Sequence, residues 1–287
     1  MAIFDAIDVV CNLVTPREIR LDQVGLDPET FDQTRFPKKF RNGVPLRDYL
    51  KIMDRAGVKR SLLIAVRAGD LREKGSFEVP YRRVRDVCQR YPDRFSGLAG
   101  IDPTRGVKGL KDLEKAVNEY GFVGAHVYPH WFRQPPNNAI YYPYYAKCCE
   151  LKIPIQVQVG QNLNYRRSRA FPTVDFPIAL DRVAIDFPDL RILGIHMGYP
   201  WTDEMISMAW KHENIYIGSD AYAPRYWPDS FVHYINTYGQ DKVLFGTDWP
   251  LMTPERAVSE IQELQLRAIP KRKLLRDNAL KLYGLKR

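Results

Sequence analysis

Lys242-Val243-Leu244-Phe245-Gly246-Thr247-Asp248-Trp249-Pro250 is a short apolar run that ends abruptly in a carboxylate. Val243, Leu244 and Phe245 read as a buried strand, Gly246 and Thr247 break it, and Asp248 stands where the strand gives way to Trp249-Pro250. A carboxylate in that place must be solvated, paired or used. Downstream, Thr253 is a suitable N-cap, Pro254 suits a first helical turn, and Glu255 falls near the positive end of the helix. The order strand, carboxylate, helix places Asp248 at the carboxyl end of a parallel strand. The plainer alternative is that Asp248 only bonds loop amides.

Seven further apolar runs precede this one, and helix-like patterns separate nearly all of them. The first spans Ile3 to Val10, followed by a polar loop at about 13–44; a helix with Leu46, Tyr49, Leu50 and Met53 on one face then closes at Gly57. Ser61–Val66, Phe95–Ile101, Phe122–Val127, Ile153–Val159, Leu190–Ile195 and Ile215–Gly218 follow as runs two to seven. Helical patterns fall at Tyr81–Arg90, Lys108–Tyr120, about Tyr144–Leu151, about Ile178–Phe187 and Asp203–Lys211. Eight strands alternating with helices predict a parallel α/β architecture. With neither a GxGxxG nor a GxxxxGK[ST] turn present, the count favours a (β/α)8 TIM barrel over an open doubly wound sheet. The chain has 287 residues, enough for one such domain, with no repeat or linker to suggest a second.

The 43 lysines and arginines outnumber the 34 acidic residues, for a net charge of +9, but they are spread along the chain. The densest run, Lys271-Arg272-Lys273, lies in a predicted C-terminal helix, and no basic element interleaved with aromatics suggests nucleic acid. The excess favours a small anionic substrate. Cys11, Cys88, Cys148 and Cys149 lack metal-site or CxxC spacing, which suits a reducing cytoplasm. No apolar run reaches about 18 residues, so no membrane partner is expected.

In a barrel the active site lies at the carboxyl ends of the strands. Those ends carry Asp8 and Asn12, Arg67, Asp102, His126 and His130, Gln156 and Gln158, His196, Ser219 and Asp220, and Asp248. His212 and His233 fall in or beside helices and read as surface or packing residues. Arg67 is either a bidentate anchor for a substrate carboxylate or a structural ion-pair partner. The loop Tyr128-Pro-His-Trp-Phe-Arg-Gln-Pro-Pro is aromatic and, with Trp249, Tyr199, Trp201 and Tyr222, could line a pocket for a flat ring. Trp227 and Tyr234 read as surface aromatics of a homo-oligomer interface, by analogy with other TIM barrels.

VLFGTDWP at 243–250, RILGIHMG at 191–198 and DNALKLYGL at 277–285 resemble the amidohydrolase-related family of TIM barrels, in order and spacing over essentially the whole chain. The resemblance implies a metal-dependent hydrolase or a decarboxylase of the aminocarboxymuconate-semialdehyde or resorcylate type. The departures are specific. Where members begin with I-D-x-H-x-H, Ile7-Asp8-Val9-Val10-Cys11-Asn12 has Val10 and Asn12, and Gln158 stands where a strand-five histidine is usual. Of the family's usual set, His196 and Asp248 remain, as a catalytic or ligating histidine and a ligating or proton-transferring aspartate.

Two good donors with an Asn and a Gln amide hold zinc poorly, and magnesium or calcium asks for more carboxylates. The residues therefore predict a site with no metal cofactor; a single divalent ion on His196 and Asp248 is the alternative. Asp248 would act as general base, with His196 polarising a carbonyl or exchanging the proton. Arg67, His126, His130, Gln158, Asn12, Tyr128 and Trp249 would bind substrate. The expected activity is hydrolysis of a small carboxylated cyclic compound such as a lactone. The alternatives are non-oxidative decarboxylation of an aromatic or enolic acid, with Asp248 protonating carbon, and a non-catalytic binding protein on a degenerate barrel.

Overall fold

The computed structural model describes residues 5–25, 34, 36–162 and 170–286. Eight parallel strands form one sheet in sequence order: β1 Ala6–Asn12, β2 Val58–Ala65, β3 Phe95–Gly100, β4 Gly124–Val127, β5 Ile155–Gln158, β6 Ile192–Ile195, β7 Ile215–Gly218 and β8 Val243–Leu244. The regular ladder of β8 is short, but its chain keeps pairing with β1. Val9 N donates to Phe245 O at 3.0 Å, Asp248 N to Val10 O at 2.9 Å and Asn12 N to Trp249 O at 3.0 Å. These bonds draw the sheet into a ring, so the (β/α)8 expectation holds.

Strand identity follows from burial. β3 is buried throughout and β2 from Ser61 on, as strands covered on both faces must be, and Leu62–Ala65 is a continuous apolar run rather than an alternation. Helices at Leu46–Ala56, Tyr81–Arg90, Gly106–Asn118, Tyr142–Glu150, Ala179–Asp186, Thr202–Lys211, Asp229–Asn236 and Pro254–Glu263 intervene between or follow the strands. Gly57 ends the first of these in the left-handed region at φ 69°, and Thr253 Oγ1 caps the last by accepting from Arg256 N.

Several expectations change. The first run was expected from Ile3, which lies outside the described residues, and β1 extends to Asn12. After β2, in a segment the sequence reading left unassigned, Arg67–Ala68 pairs antiparallel with Phe77–Glu78, a two-residue ribbon too short to show an alternating pattern. The loop at 13–44 contains a helix at Pro16–Arg20 and a turn at Lys38–Phe40, while 26–33 and 35 fall outside the described residues. Trp227 and Tyr234 are not interface aromatics. They are 6% and 1% exposed within the chain, Trp227 packing on Phe231 at 5.4 Å. Among the described residues no helix is long and apolar enough to cross a membrane.

Candidate active site

Asp248 is held by β1 on one side and by its own turn on the other. Asn12 Nδ2 donates to Asp248 Oδ1 at 2.9 Å and to Trp249 O at 2.9 Å, and the Asp248 backbone sits at φ 51°. A non-glycine residue in the left-handed region is strained, and the bonds on both flanks keep it there. His196, in the turn after β6, shares the feature at φ 65°. Its ring is fixed by Asp220 from the turn after β7: Nδ1 donates to Asp220 Oδ2 at 2.5 Å and the backbone N to Asp220 Oδ1 at 3.0 Å. Asp8 ties β1 to the β8 turn, accepting from Thr247 N at 3.0 Å, Thr247 Oγ1 at 2.5 Å and Val10 N at 3.2 Å.

Burial decides the charges. Loss of water raises the Asp248 carboxyl to about 7, with Asp220 adding to the rise and His196 and the Asn12 bond opposing it. Asp8 also rises to about 7, because desolvation outweighs its bonds to Thr247 and Val10. For His196, desolvation acts downward, but the adjacent Asp220 carboxylate outweighs it and the imidazole rises to about 9. His126, buried with a Gln156 amide for a partner, falls to about 3 and is neutral. Asp220, Asp248 and Asp175 are three buried carboxylates that all act on the His196 imidazole. His196, Asp220 and Asp248 each offer a ligand atom, all within 4.8 Å of one another. An imidazole with two carboxylates is a donor set that suits manganese or zinc, so the residues fit a divalent cation.

A cavity of about 360 Å³ opens at the carboxyl ends of the strands, a size suited to a small molecule. Asn12, Tyr128, Gln158, His196 and Asp248 line it together. The other expected residues lie elsewhere. Arg67, 8% exposed, is paired with Asp112 at 3.2 Å and Glu78 at 3.5 Å and does not line the cavity. Trp249 turns into the core against Tyr49 and Phe40, with ring centroids 4.8 and 5.1 Å away. His126 is buried at an edge-on contact with Tyr128, 4.2 Å between centroids. His130 is buried and bonded to Asp175 Oδ2 at 2.8 Å.

Two buried carboxylates that the fold bonds to site histidines carried no assigned role in the sequence reading. Asp220 stands at a strand end, and its position there was the available signal; its bond to His196 crosses 24 residues and exists only in the fold. Asp175 lies in a stretch without periodicity and announces nothing. Phe77 and Trp131, whose centroids are 5.2 Å apart, form an aromatic wall of the cavity, the first from the unforeseen ribbon.

The family model described as amidohydrolase matches residues 46–285. The chain belongs to the amidohydrolase family. It is 25% identical over 295 residues to the γ-resorcylate decarboxylase of Rhodococcus jostii, covering 83% of this chain and 87% of that one. A second relative, the 2-keto-4-carboxy-3-hexenedioate hydratase of a Sphingobium strain, is 27% identical over 137 residues. That match covers 40% of this chain and 39% of the hydratase, so the chain spans well under half of that relative. Among solved structures, an uncharacterised TIM-barrel protein of Bordetella bronchiseptica superimposes with a TM-score of 0.80 at 22% identity, covering 97% and 98% of the two chains. The 5-carboxyvanillate decarboxylase of Novosphingobium aromaticivorans, crystallised with manganese and 4-hydroxy-3-methoxy-5-nitrobenzoic acid, gives 0.70 at 18% identity over 98% and 96%.

These findings overturn the expectation of a site without a metal cofactor. That expectation weighed Asn12 and Gln158 against the two missing histidine ligands and left Asp220 out of the donor count. Decarboxylases of this fold were crystallised with manganese, and this amidohydrolase-family enzyme gathers His196, Asp220 and Asp248 into a set that fits such an ion.

Proposed function

We propose that this enzyme is a metal-dependent, non-oxidative decarboxylase of a hydroxylated aromatic carboxylate. The observation that carries the reading is the grouping of His196, Asp220 and Asp248, whose ligand atoms lie within 4.8 Å of one another, at a cavity with aromatic sides on which His196 and Asp248 stand. The γ-resorcylate and carboxyvanillate decarboxylases among the relatives support this reading over hydrolysis of a lactone.

His196, Asp220 and Asp248 would hold the divalent cation, which would supply Lewis-acid charge for binding an anionic substrate. The chain's own residues do the rest. With Oδ1 engaged by Asn12, Oδ2 is the oxygen of Asp248 that would serve the cation and, on release from it, carry a proton to the ring carbon that loses carbon dioxide. His196, its backbone N and ring Nδ1 both held by Asp220, would present Nε2 in a fixed orientation to the cation. Tyr128, Phe77 and Trp131 line the cavity and would enclose the ring and exclude water, which favours protonation of carbon over side reactions.

The test is to incubate manganese-loaded enzyme with 2,6-dihydroxybenzoate and 5-carboxyvanillate in 18O-labelled water and follow carbon dioxide and the organic product together. Stoichiometric carbon dioxide with an unlabelled, decarboxylated ring supports the proposal. A product that retains its carboxylate and has gained labelled oxygen would replace it with hydrolysis or hydration.

A further inference from the structure

The cavity's aromatic wall is held by a device outside the cavity. Arg67 and Glu78 face each other across the two-residue ribbon, and Val79 N donates to Val66 O at 2.9 Å to close it. Arg67 also pairs with Asp112 of the Gly106–Asn118 helix and lies over the Tyr81 ring at 4.0 Å. Arg105 duplicates both pairings, at 3.6 Å to Glu78 and 3.0 Å to Asp112. Two guanidinium groups and two carboxylates therefore form a charge-balanced network that fastens the ribbon to a barrel helix.

The ribbon delivers Phe77, with Val66 and Val79 beside it, to the cavity. Phe77 stands between two other loops. Its ring meets Trp131 edge-on at 5.2 Å and packs so closely on Gly25 that a Cβ built there would lie 2.2 Å from Phe77 Cε1. Gly25 has φ +59° and its Cα leaves the ring its place, so Phe77 is wedged between loop and loop with its own ribbon pinned behind.

Resting on the decarboxylase reading for its choice of ligand class, we infer that Phe77 is the specificity-determining wall that restricts the cavity to single-ring carboxylates, and that Arg67 is the positioning residue that keeps it there. Arg67 acts through the ribbon, not on the substrate. The wall should discriminate by ring size. A pocket that rejects extra apolar volume sterically does so by roughly 10- to 200-fold.

The experiment measures calorimetric Kd values of manganese-loaded enzyme for 2,6-dihydroxybenzoate and for 1,3-dihydroxy-2-naphthoate, which keeps the same substituents and adds a fused ring. The wild type is expected to prefer the single ring by roughly 10-fold or more. Phe77→Ala should bring the two constants within about 3-fold of each other, chiefly by gaining affinity for the naphthoate. Arg67→Met should move the ratio in the same direction while both ligands still bind, and Phe77→Ala decides alone if Arg67→Met fails to fold. An unchanged ratio in Phe77→Ala overturns the inference, as does wild-type enzyme that binds neither acid or both equally. Carbon dioxide release is scored separately: binding with the expected ratios but no decarboxylation leaves the wall established and removes the decarboxylase reading.

Discussion

Asn12 and Asp248 lie 236 residues apart in the chain and are joined by a 2.9 Å hydrogen bond from the Asn12 amide to Asp248 Oδ1. The amide stands where the family's first strand usually carries a histidine ligand, and it orients the carboxyl that the proposed chemistry depends on. Replacing Asp248 by Asn keeps the shape and removes the transferable proton. Turnover of 2,6-dihydroxybenzoate should fall at least 10²- to 10⁴-fold, the usual contribution of a positioned acid or base. Single-turnover product analysis checks this; Asp248→Asn with wild-type kcat would remove Asp248 from the chemistry.

The cation set predicts a stoichiometry. Purified enzyme dialysed against a chelator should lose activity and regain it with manganese, and elemental analysis of reloaded protein should show about one ion per chain. Asp220→Asn should lower manganese occupancy in the same analysis by roughly 10- to 100-fold in affinity. It should also free the His196 ring, whose Nδ1 is held by Asp220. Full occupancy in Asp220→Asn would mean that the ion is held by other groups.

His126 gives a pH dependence with a definite sign. Its folded value near 3 lies below the ordinary 6.5, so between those values the unfolded chain binds the extra proton and stability falls as pH falls. From pH 6.5 to 5 this group alone withdraws about 2 kcal/mol. Asp8 and Asp248, raised to about 7, act in the opposite sense over the same window, since the folded state binds their protons first. The prediction is therefore for a difference. Urea unfolding of metal-free protein at the two pH values should show His126→Leu losing about 2 kcal/mol less than wild type on acidification. Equal losses would show that His126 titrates normally.

Thr253 tests the element that follows the site. Its hydroxyl accepts from Arg256 N at 3.3 Å and caps the Pro254–Glu263 helix. Thr253→Ala should cost about 1 kcal/mol in chemical denaturation, with little change in kcat because the side chain lies outside the cavity. A large kcat effect would tie the helix start to the chemistry.

By itself the sequence determined the barrel. Eight buried apolar runs alternating with amphipathic helices follow from period and composition, which are local properties, and the same runs placed Asp248 and His196 at strand ends. Asn12, Tyr128 and Gln158, read from the sequence as lying at strand ends, line the cavity, because in a barrel every strand's carboxyl end faces the same space. Only the tertiary structure decided the partners. Arg67 was open between substrate anchor and ion pair, and Glu78 and Asp112, whose side chains converge through a ribbon and a helix, take it up outside the cavity. Trp249 lies next to Asp248 in the chain, yet the turn sends one into the core and the other into the cavity. Asp220 acquires its role through a 2.5 Å bond to a residue on the neighbouring strand. A residue's type shows what it can donate or accept, but charge balance among buried groups depends on which of them the fold brings within a few ångströms, and that distance is not a local property of the chain.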